Sequence, residues 1–147
     1  ELAKRSLIPM NELVDRTSPA PATDEQWWPW WETFIDGLIE MWRQDSSGGA
    51  IWSACAGTPE LVARSYELEI QYARGVAGLL SPLFPHESQD AQEKRALIMS
   101  RMISFGLDYA WIGGTFSDEA AMVVKRTAVA GLAAEINAAR VAAGTLR

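Results

Sequence analysis

Apolar residues recur three and four positions apart along almost the whole chain, and alternating runs of β-branched residues are nearly absent. That period aligns side chains on one face of a helix, so the sequence predicts an all-α fold, an antiparallel bundle of about six helices. Helix start and stop signals set the boundaries. A first helix is expected over 2–15, with Leu2, Leu7, Met10, Leu13 and Val14 supplying apolar contacts and Pro9 bending or interrupting it. Thr17, Ser18, Pro19 and Pro21 make a loop. Thr23 with Gln26 three residues later is a capping-box pattern that opens a helix over 24–45. Within it, Pro29 either kinks the helix or moves its start to Trp28. Trp31, Phe34, Ile35, Leu38, Ile39, Met41 and Trp42 cover most of its circumference, leaving Glu32, Asp36, Glu40 and Gln44 as a polar stripe, so this helix is central.

Ser46-Ser47-Gly48-Gly49 ends that helix, and a short one containing Ile51 and Trp52 leads to Gly57. Thr58-Pro59-Glu60 combines a hydroxyl cap, a proline whose missing donor is harmless and an acid at the positive helix end, so a long helix runs over 59–81. After Pro82 and Pro85, Ser88 caps a helix over 89–112, which Gly113-Gly114 stops. Ser117-Asp118-Glu119 opens a last helix over 117–143. That helix is rich in alanine and apolar on two flanks, Ala121, Val124, Ala128 and Leu132 on one, Met122, Val129, Ala133 and Ile136 on the other. One flank is expected to face the core and the other a partner chain.

The 147 residues fit one domain, 1–147, without an internal repeat or low-complexity linker. An apolar fraction of 48% with 22% charged residues is that of a globular chain rather than a disordered one. Thirteen basic against nineteen acidic residues leave a formal charge of −6 with no basic patch, which argues against nucleic-acid binding by these residues alone. Cys55, the single cysteine, supports neither a disulfide framework nor a cysteine-rich zinc site, and fits a reducing, cytoplasmic setting. No apolar run reaches the roughly 18 to 20 residues of a membrane span. Glu1-Leu2-Ala3-Lys4-Arg5 has neither an initiator Met nor a signal-peptide core, which suggests a piece of a longer protein.

Nothing in the sequence gathers into a catalytic or metal-binding set. His86, Glu87 and Ser88 are consecutive, and neighbours in a loop do not point at one another as a triad requires. One histidine cannot build a histidine-rich metal site, and Ser47-Gly48-Gly49 lacks the lysine of a phosphate loop. No cofactor is expected, and the chain reads as a non-enzyme. The cluster Trp27-Trp28-Pro29-Trp30-Trp31 has two readings, a rigid wedge between helices or the wall of a site for a flat apolar ligand, and the bulk of tryptophan favours the wedge. Met99, Met102 and Phe105 share a surface that serves either core packing or an adaptable pocket. Arg101 and Asp108 interrupt the same helix as a solvated stripe or as polar anchors.

The order of elements resembles the tetracycline-repressor (TetR) family of transcriptional regulators. Leu2-Ala3-Lys4-Arg5 is similar to the helix that follows that family's recognition helix. Ala50-Ile51-Trp52 through Gly57-Thr58-Pro59-Glu60-Leu61-Val62 resembles the short helix leading into "T-P-E-L" and a long helix in its regulatory domain. The pair 95–114 and 117–136 looks like the two helices that form its dimeric four-helix bundle. The resemblance implies a homodimer whose DNA binding resides in an N-terminal helix-turn-helix absent from this sequence, under control of a small apolar or aromatic effector. It places Trp31, Phe34, Trp52, Tyr66, Tyr72, Met102 and Phe105 on the pocket wall with Asp108 for polar recognition, and Met99, Ile103, Ala110, Ala121, Val124, Ala128 and Leu132 at the dimer interface. The competing expectation is a helical scaffold that binds another protein and has no ligand cavity.

Overall fold

The computed structural model of the chain describes residues 2–17, 21, 23–44, 59–112 and 114–144. Among them are five α-helices: α1 (Leu2–Thr17), α2 (Asp24–Gln44), α3 (Pro59–Leu80), α4 (Gln89–Asp108) and α5 (Asp118–Ala142). A 3-10 turn (Ser81–Leu83) follows α3, and a two-stranded antiparallel hairpin joins α4 to α5, with β1 at Trp111–Ile112 and β2 at Thr115–Phe116. The short helix expected at Ile51 and Trp52 lies outside the described residues.

Two of the start signals act through their side chains. Ser88 accepts the Ala91 N–H at 3.3 Å and Ser117 accepts the Ala120 N–H at 3.2 Å, so hydroxyls satisfy donors that have no partner in the first turns of α4 and α5. The Thr23 carbonyl takes the N–H groups of Gln26 and Trp27 at the head of α2. Both internal prolines are carried within continuous helices, Pro9 in α1 and Pro29 in α2. Pro29 and Glu25 are exposed, so water can reach the Glu25 carbonyl that the proline leaves without an N–H partner.

The helix expected over 89–112 ends earlier, at Asp108. Tyr109 and Ala110 turn the chain, Trp111 pairs with Phe116 and Ile112 with Thr115, and the Ser117 N–H donates to the Ala110 carbonyl at 2.7 Å. Gly114, with φ of 83°, supplies the left-handed residue of the hairpin turn. Gly114 thus turns a hairpin six residues beyond the helix end, where Trp111 and Phe116 pair across the strands.

Each helix packs mainly on two neighbours, α1 on α2 and α3, α3 on α4, α4 on α5, and α5 on α2. The helices therefore form a closed ring in the order α1, α2, α5, α4, α3. Cross-helix ties fix their directions. Leu13 meets Gly37 and Thr17 meets Trp30 between α1 and α2; Trp31 meets Ala128 and Arg43 meets Asp118 between α2 and α5. Gly106 meets Val124 and Arg95 meets Glu135 between α4 and α5, while Glu69 meets Arg101 and Arg74 meets Glu93 between α3 and α4. Every one of these pairs is antiparallel. With four antiparallel steps, α1 and α3, which close the ring, must run in the same direction.

The ring is filled by side chains that the helical period predicts: Trp31, Phe34, Ile35 and Leu38 of α2, Tyr72, Val76 and Leu79 of α3, Ile103 and Leu107 of α4, Leu132 and Ile136 of α5, all buried. Trp31 and Phe34 stack with centroids 5.1 Å apart. Burying a side chain of this size stabilises the fold by roughly 1.5–3 kcal/mol relative to leaving it in water.

Candidate functional site

Between α1 and α2 lies an open groove of about 740 Å³, lined by Leu13, Arg16 and Thr17 of α1 and by Trp30, Thr33, Gly37, Glu40, Met41 and Gln44 of α2. Its floor exists because Gly37 allows α1 close: a Cβ there would sit 2.6 Å from Leu13 Cδ1. One end is fixed by the Trp30 indole N–H, which donates to the Thr17 carbonyl at 2.7 Å. The two charges at its rim differ in their circumstances. Glu40 already accepts from Arg43 and from the Gln44 amide. Arg16 uses its Nε–H on the Glu12 carbonyl at 3.2 Å, and among the described residues no carboxylate pairs with its guanidinium.

A second surface runs along the outside of α4 and α5. Ile98, Met102, Phe105 and Tyr109, at spacings of four, three and four, are 61%, 61%, 62% and 81% exposed. Gly106, one turn beyond Met102, contacts Val124, and Arg95, one turn before Ile98, reaches Glu135 at 2.9 Å, so this stripe borders α5 along its length. The adjoining face of α5 carries Val123, Thr127, Ala130, Gly131, Ala134, Ala138 and Val141, all exposed and none charged. The two helices thus present a continuous uncharged outer face flanked by charged residues.

The residues expected on a pocket wall fall into separate places. Trp31, Phe34 and Tyr72 are packed in the core, and burial pushes the Tyr72 phenol well above its ordinary pKa. Tyr66, Met102 and Phe105 stand on the outside, with the Arg101 guanidinium 5.6 Å from the Tyr66 ring centroid. Asp108 is half-buried and accepts the Trp42 indole N–H at 2.9 Å; burial raises its pKa and this hydrogen bond opposes the rise. Trp52 lies outside the described residues. Of the residues expected at a dimer interface, Ile103, Ala110, Ala121, Ala128 and Leu132 are buried within the protomer, and Met99 and Val124 are half-buried. The Ala128 carbonyl is within 3.4 Å of the Trp31 indole nitrogen, so that flank of α5 faces α2.

The groove residues Arg16, Thr17, Thr33 and Glu40 were not singled out by sequence reasoning. Gly37 was their signal, a glycine amid large apolar side chains where only close helix approach needs one. Among the described residues no three His, Cys, Asp or Glu side chains gather as a metal site, and no helix is long and apolar enough to cross a membrane.

With five helices and one short hairpin among the described residues, the fold is all-α in class. A family model described as the tetracyclin repressor-like C-terminal domain matches residues 25–136, well over half of the chain, and the protein belongs to that family of regulatory domains. No curated protein and no solved structure matches the chain.

Proposed function

We propose that this chain is the effector-binding and dimerising half of a cytoplasmic transcriptional repressor, acting on a DNA-binding helix-turn-helix joined ahead of α1. The observation that carries the reading is the uncharged outer face of α4 and α5. Exposing Ile98, Met102, Phe105 and Tyr109 in a row is unfavourable in water, and a twofold copy of the same face would bury them as a four-helix bundle. Small residues on α5 let helix axes approach across that contact.

The effector site in this reading is the groove between α1 and α2. A molecule lodged there acts by population shift: it must bind one placement of α1 better than another, or nothing moves. The roughly 740 Å³ is of the size that small-molecule sites take. A second reading, a helical scaffold that binds a different protein, draws support from the packed interior around Trp31, Phe34 and Tyr72. Sedimentation at micromolar concentration separates the two. A dimer is expected, and a strictly monomeric mass would overturn the regulator reading in favour of the scaffold.

A further inference from the structure

We infer that the groove between α1 and α2 takes a flat aromatic molecule bearing a carboxylate, the ring lying against Trp30, Leu13 and Met41 and the carboxylate on Arg16. This rests on the groove being the effector site, and it names the chemistry of the occupant. In a chain of net charge −6, a cation with no acidic partner among the described residues is notable, and Arg16 is such a cation at the rim of a concavity. Its Nε–H is tied to the Glu12 carbonyl, which anchors the guanidinium while the paired Nη donors, the fork that matches a carboxylate, meet no acceptor among the described residues.

Glu40 does not cancel this attraction. Its carboxylate is engaged by Arg43, which also bonds Asp118 at 2.6 Å, and by Gln44 at 2.9 Å. A cationic ligand would have to displace Arg43 to reach it, whereas an anionic one needs to displace only water from Arg16. The apolar part of the lining sets the rest of the molecule. Trp30 is half-buried with its N–H already used on Thr17, so what it offers the groove is its ring. Leu13 and Met41 complete an apolar wall, and the methionine adapts to the outline of a ring laid on it. Thr17 and Thr33 also line the site, with hydroxyls that donate to the carbonyls of Leu13 and Pro29.

Isothermal titration of the chain with naphthoate, its neutral carboxamide and naphthylmethylammonium tests the assignment. Naphthoate is expected to bind about tenfold or more tightly than the carboxamide, and Arg16→Gln to remove that advantage. Equal affinity for acid and amide, or a preference for the ammonium compound, overturns the carboxylate assignment and leaves the groove as the effector site. Thr33→Trp, at an exposed position on the groove wall, is expected to block all three. Undiminished binding in that variant places the ligand elsewhere and overturns the groove itself. No binding of any of the three compounds to the parent chain overturns both.

Discussion

Gly106 shows how much one missing methyl group can decide. A Cβ at that position would lie 2.7 Å from Cγ2 and 3.3 Å from Cγ1 of Val124, a β-branched side chain that cannot rotate away cheaply within α5. Gly106→Ala is expected to force α4 and α5 apart and to cost about 1–3 kcal/mol, read from the midpoint of urea denaturation. Asp108 carries the opposite lesson, a charge held where burial disfavours it. Its folded pKa is raised, so the folded state holds its proton to higher pH than the unfolded chain does. Any stability tied to that proton is therefore present below the ordinary carboxylate pKa and lost as pH rises through the raised folded value. Asp108→Asn keeps an oxygen for the Trp42 N–H and removes the charge. The variant is expected to match or exceed the parent in thermal stability at neutral pH, and to lose any advantage in acid as Asp108 itself becomes neutral. A variant less stable at neutral pH than in acid, relative to the parent, would contradict this account.

Among the elements, the turn between α3 and α4 is tied by the Gln92 amide, which donates to the Phe84 carbonyl at 3.0 Å, and by Arg95, one side chain with several partners. Arg95 is 16% exposed; it pairs with both carboxylate oxygens of Glu87, reaches Glu135 on α5 at 2.9 Å and stacks 4.0 Å above the Phe84 ring. These hydrogen bonds raise its already high pKa, so it is a cation throughout the accessible range. Arg95→Met is expected to cost about 2–3 kcal/mol because it leaves the half-buried Glu87 without its fork, and Arg95→Lys to recover only part, since an ammonium offers neither the bidentate pair nor the planar stack. Full recovery by lysine in a denaturation series would show that charge alone matters there.

The helices themselves were legible from apolar spacing, and their starts from Thr23, Pro59, Ser88 and Ser117. The end of α4 was not. Ala110, Trp111 and Ile112 are apolar and continue the helical period, and only cross-strand pairing after the glycine turn makes extended backbone the better state for them. The choice of inward flank on α5 was likewise hidden, because Ala121, Ala128 and Leu132 differ little in polarity from Ala130, Ala134 and Ala138. Which alanines go inward is set by Trp31 and Val124 contacts that involve other helices.

For the whole molecule, the decisive quantity is its mass in solution. Phe105 is 62% exposed on the outer stripe, so Phe105→Glu removes no core packing and is expected to leave helical circular dichroism unchanged. In a symmetric dimer the added carboxylate appears twice at one contact, and the variant is expected to sediment as a monomer at concentrations where the parent is dimeric. A dimer that survives Phe105→Glu, Met102→Glu and Ile98→Glu together would place the contact on another face.

The ring also has a mechanical side. Its first helix is gripped chiefly by α2 and α3, and α4 and α5, with their uncharged outer face, sit across the circle from it. Easing α1 outward about its Leu13–Gly37 touching point therefore asks little of the side of the molecule that would hold a twin. Anything wedged beneath α1 would change the angle at which that helix leaves the body, and in the proposed dimer the two copies would stay joined while their leading ends swing.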